Sequence, residues 1–344
     1  MEAYQRIVLA SRPTAAPTLD SFRMETSTMP QPAIGQLLVR TRFLSLDPYM
    51  RGRMSSAASY AQPVAVGDTM EGEAIADVLE SRSPDFRPGD IVRAMVGWRS
   101  HAVINATDAR QVPSGVIPVT AYLGVLGMPG FTAYAGLRVI GQPKPGETVV
   151  VSAATGPVGS LVGQLAKRAG ARAIGIAGGA AKCHYLVSDL GFDAAVDRRA
   201  EDFAHVLQNL APDGIDVYFE TAGGAVWQAV LPLLNRYARV PVCGLIALYN
   251  GVPQTGRDWL GDTMLTVLKR SLLIRGFIHS EFVPDYYDEF LEEIGRLVAN
   301  GEIRYREQIM EGLEAAPGAF IGMLEGRNFG KVIVRAVSLM PHRG

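Results

Sequence analysis

The spacing of hydrophobic and polar positions changes about 140 residues into the chain. Before that point, alternating apolar positions predict short strands at 36–46, 69–80 and 90–96, with turn-rich stretches such as S-P-D-F-R-P-G-D between them. No helical period dominates this part of the sequence. The pattern predicts a compact antiparallel β domain over residues 1–123.

The stretch Q-P-K-P-G-E at 142–147 is followed by apolar strands that alternate with amphipathic helices. The predicted strands are 148–154, 172–177, 194–197, 215–220, 238–246 and 272–277, and the predicted helices begin near residues 158, 180, 201, 225 and 259. This alternation is typical of a parallel, doubly wound α/β sheet that helices cover on both faces. We therefore predict an α/β protein whose second domain spans residues 124–294.

The last part of the chain departs from the alternation of strands and helices. Its pattern predicts helices at 285–300 and 315–324 and a strand at 331–337. Because this order breaks the rhythm of the second domain, we expect residues 295–344 to return to the first domain.

A glycine-rich stretch, V-S-A-A-T-G-P-V-G-S-L-V-G at 151–163, lies where the first parallel strand should become a helix. Gly156 permits the turn, Gly159 lets a pyrophosphate approach the amides of the helix N-terminus, and Gly163 allows the helix to pack against the sheet. Such turns also occur for packing alone. At the start of a six-strand series, however, the stretch favours a dinucleotide.

The end of the second parallel strand, I-G-I-A-G-G-A-A-K, bears on which dinucleotide is bound. NAD-specific sites usually place an acidic residue here for the ribose 2′-hydroxyl, whereas this chain has Gly178 and Gly179 followed by Lys182. The missing acid favours NADP(H) over NAD(H), with Lys182 near a 2′-phosphate. The alternative is that Lys182 is an ordinary solvated helix residue.

Composition and charge narrow the possible partners. The formal net charge is −1, with 48% hydrophobic and 19% charged residues and no long charged run, which argues against nucleic acid or a membrane surface as partner. No stretch has the apolar length of a signal peptide or a membrane span. Two cysteines and five scattered histidines form no disulfide framework and no zinc-ligand pattern, and we expect a cytoplasmic protein without a metal.

Two tyrosines are candidates for chemistry. Tyr249 follows the fifth parallel strand, at the sheet edge where open α/β sheets bind ligands, and Tyr49 lies in L-S-L-D-P-Y-M-R. A phenol can hydrogen-bond an oxyanion and deliver a proton to it. The alternative for either tyrosine is an amphipathic ring that fills a domain edge.

Several stretches together resemble the medium-chain dehydrogenase/reductase superfamily. Within it they are similar to the zinc-free NADPH-dependent double-bond reductases, the branch of leukotriene B4 12-hydroxydehydrogenase/prostaglandin 15-keto reductase, 2-alkenal reductases and curcumin reductase. The matching stretches are L-S-L-D-P-Y-M-R (44–51), M-P-G-F-T-A-Y (128–134), A-A-T-G-P-V-G-S (153–160), Y-F-E-T-A-G-G (218–224), V-C-G-L-I-A-L-Y-N (242–250) and G-R-N-F-G-K (326–331). They occur in the family's order across nearly the whole chain.

The resemblance implies a GroES-like catalytic domain, completed by the C-terminal segment, and an inserted Rossmann domain that binds NADP(H). Asp47 stands where zinc-dependent relatives carry a cysteine, and M-E-G-E at 70–73 lacks their histidine. Arg198 stands where the family usually has a tyrosine near the adenosine phosphate, and it could serve a 2′-phosphate or simply be exposed. Thr221 replaces an asparagine of the family's D-N-V-G-G. The expected cofactor-binding positions are Thr155, Gly156, Pro157, Val158, Gly159, Gly178, Lys182, Arg198, Thr221, Cys243, Gly244, Leu245, Ile246, Tyr249, Phe277 and Asn328.

The resemblance also implies a reaction, in which NADPH delivers hydride to the β-carbon of a small apolar α,β-unsaturated ketone or aldehyde. Tyr249 would assist enolate stabilisation and protonation, Tyr49 would seat the substrate, and residues 250–259 would cap the cleft. Two alternatives are an NADPH:quinone oxidoreductase and a zeta-crystallin-like protein that binds NADPH without physiological turnover. Relatives of this kind are commonly dimeric, and strand 272–277 is the expected homodimer edge.

Overall fold

The structure, a computed structural model, describes residues 3–251 and 259–336. As the alternating pattern predicts, the amino-terminal part consists of short strands. They are β1 (Ala3–Leu9), β2 (Phe22–Thr28), β3 (Gln36–Ser45), β4 (Glu73–Ser81), β5 (Ile91–Met95), β6 (His101–Asn105) and β7 (Arg110–Gln111), with the short helix α1 (Met50–Arg53) after β3. β4 begins later than predicted, because Met70 instead pairs through its N–H with the carbonyl of Ile7, 3.0 Å away.

The middle of the chain alternates helices and strands. After α2 (Met128–Ala135) come β8 (Thr148–Val151), α3 (Pro157–Arg168), β9 (Arg172–Ala177), α4 (Ala180–Ser188), β10 (Ala194–Asp197), α5 (Phe203–Leu210), β11 (Ile215–Phe219), α6 (Gly224–Val230), β12 (Leu234–Val242), α7 (Leu260–Arg270), β13 (Leu273–Gly276) and α8 (Val283–Ala299). The chain ends its described part with β14 (Glu307–Glu311), α9 (Ala316–Leu324) and β15 (Lys331–Arg335).

Two compact units divide the chain. The first comprises the residues up to Leu123 and those from Glu307 onward, and the second comprises Gly124–Arg306. The predicted boundary after residue 294 falls inside α8, whose Phe290 is fully buried and packs on Phe131 and Tyr287 of the second unit.

The second unit is built on a parallel sheet of six strands within the described ranges, in the order β10-β9-β8-β11-β12-β13. This is the doubly wound order, and it reverses between β8 and β11. β8 is buried along its whole length, as expected for a strand that helices cover on both faces. The predicted fold class is confirmed.

The first unit holds a mixed sheet in the order β14-β15-β3-β4-β5-β7, with β6 also paired to β3, and a separate β1-β2 ribbon. Its pairs are antiparallel except for β14 with β15, which are parallel. The core of this unit includes Trp98, stacked on Phe22 with ring centroids 5.5 Å apart. β14 was not predicted, because E-Q-I-M-E lacks the alternation of a typical strand.

The fifth parallel strand, β12, lies four residues earlier in the chain than predicted. The apolar run 238–246 predicted a strand, but β12 ends at Val242. The N–H groups of Ile246 and Ala247 bond the carbonyls of Thr221 and Ala222, at 3.2 and 2.9 Å. These bonds turn residues 243–249 away from the neighbouring strand and across the end of the sheet.

Candidate functional site

The glycine-rich turn joins β8 to α3 at the carboxyl end of the sheet. Gly156 precedes the helix in an extended conformation, and Pro157 occupies the first helical position, where its missing N–H costs no hydrogen bond. Ala153 has a φ of +45°, so a left-handed residue tightens the turn just before Gly156. The first N–H groups of α3 point out of this turn with the positive end of the helix dipole, as an anion site requires.

Two glycines of this turn are required by packing. A Cβ on Gly159 would lie 2.7 Å from Ala154 Cα and 2.8 Å from the carbonyl of Ala153, so the helix start approaches its own turn closely. A Cβ on Gly163 would lie 1.9 Å from the ring of Phe192. We expected Gly163 to pack on the sheet, but its closest neighbour is this ring. Thr155, within the turn, is buried.

A basic cluster occupies the ends of β9 and β10. A Cβ on Gly178 would lie 3.1 Å from Nε of Arg199 and 3.6 Å from Nε of Arg198. Lys182 is half-buried in α4, and burial together with the positive charges of Arg199 and Arg198 lowers its pKa. The structure thus brings the predicted Gly178, Lys182 and Arg198 together, and it adds Arg199. The sequence signal for Arg199 was the basic doublet at the end of the third strand.

An acid does lie at this edge, on β10 rather than on β9. The Oδ1 of Asp197 accepts the N–H groups of Gly179 and Arg199, at 2.8 and 2.9 Å. These two backbone bonds lower the pKa of Asp197. The end of β9 itself carries no acid, as its sequence shows, and the Asp197 carboxylate at the end of β10 is engaged in fixing the Gly178–Gly179 turn.

A buried polar network closes the end of β11. Glu220 is 2% exposed, and its Oε1 accepts the N–H groups of Ala222 and Gly223 at 2.7 and 2.9 Å and the Tyr218 hydroxyl at 3.0 Å. The Ser152 hydroxyl lies 3.2 Å from the same oxygen. Burial raises the pKa of Glu220, and these donors oppose that shift. None of these polar partners was predicted from the sequence.

Thr221, the residue expected near the cofactor, is part of the same network. Its N–H bonds Ser152 Oγ at 2.8 Å, and its hydroxyl bonds the carbonyl of Ser152 at 3.0 Å. Its side chain therefore ties β8 to β11 at the glycine-rich turn.

The segment 243–249 crosses the end of the sheet and carries Cys243, Gly244, Leu245, Ile246 and Tyr249. The half-buried Tyr249 folds back on this segment, and its hydroxyl oxygen accepts the N–H of Leu245 at 3.4 Å. A Cβ on Gly244 would lie 3.2 Å from that oxygen. Burial and the nearby Glu220 carboxylate raise the pKa of the Cys243 thiol to about 12, so this side chain is a neutral thiol.

The side chains of Phe277 and Asn328, two of the expected cofactor-binding residues, make different kinds of contact. The ring of Phe277 is buried against Phe219 and Phe282 and lies beside Gly136, where a Cβ would come within 2.5 Å. In the first unit, the amide of Asn328 donates to the carbonyl of Gly330 at 2.9 Å. The N–H of Phe277 donates to the carbonyl of Val242 at 3.2 Å, so both its ring and its N–H have partners within the second unit.

Tyr49 belongs to the first unit and lies just before α1. The guanidinium of Arg53 lies 5.5 Å from the ring centroid and bonds Glu71 at 2.6 Å. Burial and the negative charge of Asp47 raise the pKa of the Tyr49 phenol above its usual value. Tyr49 is therefore a neutral hydrogen-bond donor across the physiological pH range.

The predicted cap at 250–259 lies mostly outside the described residues.

Within residues 3–251 and 259–336, no group of three or more His, Cys, Asp or Glu side chains is arranged to hold a metal. Asp47, at the position of a zinc-binding cysteine in other relatives, is paired with Lys331 at 2.5 Å. In the same ranges, no helix has the length and apolar character needed to cross a membrane.

Comparison with known proteins places this arrangement among oxidoreductases. Residues 5–112 match the family described as N-terminal domain of oxidoreductase, and residues 157–296 match the family described as zinc-binding dehydrogenase. The chain is 49% identical over 332 residues to the NADPH-dependent curcumin reductase of Escherichia coli (strain K12), covering 96% of each protein. It is 41% identical over 304 residues to the 2-alkenal reductase (NADP(+)-dependent) of Nicotiana tabacum, covering 87% of this chain and 86% of that one.

A solved structure gives the same result. The crystal structure of CurA in complex with NADPH from Vibrio vulnificus superposes with a TM-score of 0.93 at 47% identity, covering 97% of this chain and 99% of that one.

Proposed function

This chain belongs to the zinc-independent double-bond reductases of the medium-chain dehydrogenase/reductase superfamily, and we propose that it reduces the carbon–carbon double bond of α,β-unsaturated ketones and aldehydes with NADPH. The observation that carries the proposal is that several groups suited to this reaction lie at the same edge of the parallel sheet. Each follows the end of a strand: the amides of α3, the basic cluster of Lys182, Arg198 and Arg199, and Tyr249. The reductases that resemble this chain are named for NADPH and for substrates of this class.

The residues of the glycine-rich turn suit the diphosphate of NADPH. The amides at the start of α3 stabilise negative charge, and Gly156 and Gly159 leave the backbone bare of side chains there. Lys182, Arg198 and Arg199 supply positive charge for the 2′-phosphate at the ends of β9 and β10, the next two strands of the sheet. Two guanidinium groups can each form charge-assisted bonds with one phosphate, which favours NADPH over NADH.

When bound, NADPH supplies the hydride that adds to the β-carbon of the substrate. Negative charge then develops on the carbonyl oxygen, and a donor that is already in place lowers the barrier. Tyr249 is suited to this role because it is a phenol at the carboxyl end of the parallel sheet, where its oxygen accepts the Leu245 N–H. We place Tyr49 as a second, neutral donor that seats the substrate.

We also propose that the protein is a homodimer joined through β13 and α7. β13 is the edge of the six-stranded sheet, and all four of its residues are exposed. α7 adds exposed apolar side chains, of which Leu268 is 76% exposed. An apolar edge strand beside an apolar helix face is a surface that proteins usually cover. Sedimentation equilibrium at micromolar protein tests this, and a monomer would contradict it.

We further propose that the enzyme acts in the cytoplasm. Cys183 and Cys243 are both free thiols, which suits a reducing compartment. Fractionation of the source cells, followed by immunodetection in the soluble and membrane fractions, tests this placement; recovery with membranes would contradict it.

The proposed reaction is tested by following NADPH oxidation with an alkenal, an enone, a quinone and, in reverse with NADP⁺, the matching saturated alcohol. We expect turnover of the alkenal and the enone. Turnover of the alcohol or the quinone without alkene reduction would contradict it.

A further inference from the structure

We propose that Glu220 is a positioning residue that holds segment 243–249, and with it Tyr249, across the end of the parallel sheet. The role in catalysis rests on the proposed function. The placement itself stands on contacts within the second unit alone.

The Glu220 carboxylate fixes the turn that follows β11. Its Oε1 accepts the N–H groups of Ala222 and Gly223, at 2.7 and 2.9 Å, so the side chain reaches forward over its own turn. The turn needs this support because Gly223 and Gly224 both have positive φ values, +73° and +60°. Glycine loses more conformational entropy on folding than any other residue, so fixing two consecutive glycines at positive φ is costly.

The other contacts anchor the carboxylate to the sheet. The Tyr218 hydroxyl donates to the same oxygen at 3.0 Å from one pleat earlier on β11, and Ser152 reaches it from β8. All of these groups are buried. Because buried donors on two strands hold the Glu220 carboxylate in one position, the turn that bonds this carboxylate is also held in one position.

The same turn holds the segment that carries Tyr249. The carbonyls of Thr221 and Ala222 accept the N–H groups of Ile246 and Ala247, at 3.2 and 2.9 Å. The carbonyl of Glu220 accepts the N–H of Cys243 at 3.1 Å. A Cβ on Gly223 would lie 3.2 Å from the side chain of Leu245, whose own N–H bonds the Tyr249 hydroxyl. Loss of the Glu220 carboxylate should therefore loosen the tyrosine three contacts away.

The first test reads the segment itself and needs no activity. Hydrogen exchange in Glu220→Ala should be about tenfold faster at the amides of Ile246 and Ala247, because their acceptors are no longer fixed. The matched control is Asp216→Asn, which removes a carboxylate at the opposite end of the same strand, where it accepts the Thr148 N–H at 2.8 Å. This control should leave the exchange of segment 243–249 unchanged.

The second test is a double-mutant cycle on kcat. Glu220→Ala should lower kcat for an enone at least about tenfold in the natural chain but less than about twofold in the Tyr249→Phe background. Glu220→Asp, which keeps the charge, should recover much of the loss. A general loosening of the fold would instead lower kcat equally in both backgrounds and would not be recovered.

If Glu220→Ala does not fold, Glu220→Gln and Tyr218→Phe supply the same measurements, because each weakens the network while keeping side-chain volume. Unchanged exchange at Ile246 and Ala247 in these variants, or additive effects with Tyr249→Phe, would overturn the proposal. If the natural chain reduces no enone, the proposed function fails, and the exchange experiment still decides whether Glu220 holds the segment.

Discussion

Lys331 and Asp47 form an ion pair in the interior of the first unit, with Nζ and Oδ1 2.5 Å apart. Lys331 is 2% exposed and Asp47 3% exposed, and the ammonium also donates to the carbonyl of Leu46 at 2.9 Å. The hydroxyl of Ser45 donates to the second carboxylate oxygen. The pair therefore joins the first residue of β15 to the loop that follows β3, two residues before Tyr49.

We expect Lys331→Met to lower the free energy of unfolding by about 3–5 kcal/mol, because it leaves Asp47 buried without its cation. Urea denaturation at neutral pH measures this. Arg327→Ala is the control: its partner Glu325 and Arg327 itself are both exposed, so its loss should cost less than about 1 kcal/mol. Equal effects of the two substitutions would contradict the assigned role of the buried pair.

Gly163 in α3 tests the packing of the glycine-rich turn. Gly163→Ala should destabilise the protein by about 1–3 kcal/mol, because the new methyl group overlaps the ring of Phe192. Gly295 lies inside α8, where a Cβ would meet no neighbouring atom within 4 Å, so Gly295→Ala should stabilise by up to about 1 kcal/mol. Thermal and urea unfolding of both variants check the opposite signs, and a tolerated Gly163→Ala would contradict the close approach.

The basic cluster should decide between the two nicotinamide cofactors. We expect Arg198→Ala with Arg199→Ala to raise the Kd for NADPH at least about tenfold, since charge-assisted bonds to the phosphate are lost. The Kd for NADH should change less than about twofold, because NADH lacks that phosphate. Fluorescence titration with both cofactors measures this, and a parallel loss for NADH would show that the arginines act elsewhere.

Much of the second unit could be predicted from the sequence. β9 and β10 were predicted with their observed ends, because short apolar strands between turn residues leave little freedom. β12 was misplaced by four residues at each end, because V-C-G-L-I-A is apolar enough for a strand. The direction of this apolar stretch is set by hydrogen bonds from Ile246 and Ala247 to a turn that is distant in sequence. A local sequence pattern carries no information about such bonds.

The candidate site was predictable to the same extent. The glycine-rich turn and Lys182 could be identified from local spacing in the sequence. The roles of Arg199 and Glu220 depend instead on where their side chains point in the fold. Glu220 is an unremarkable acid in the sequence, and its importance comes from Tyr218, Ala222 and Gly223 meeting one oxygen. Such convergence is a property of the fold.

Tyr249→Phe should lower kcat for enone reduction about a hundredfold, because the donor to the developing oxyanion is lost. The Kd for NADPH should stay within about threefold, since the ring and its packing remain. Steady-state kinetics and cofactor titration separate the two effects. Unchanged turnover would remove Tyr249 from the mechanism.

The central claim is that hydride adds to the β-carbon of an α,β-unsaturated carbonyl compound. The most direct measurement is to reduce an enone with NADPH deuterated at the nicotinamide C4 and to locate the label in the product by NMR. We expect a saturated ketone with deuterium on the β-carbon. An allylic alcohol with deuterium on the former carbonyl carbon would contradict it.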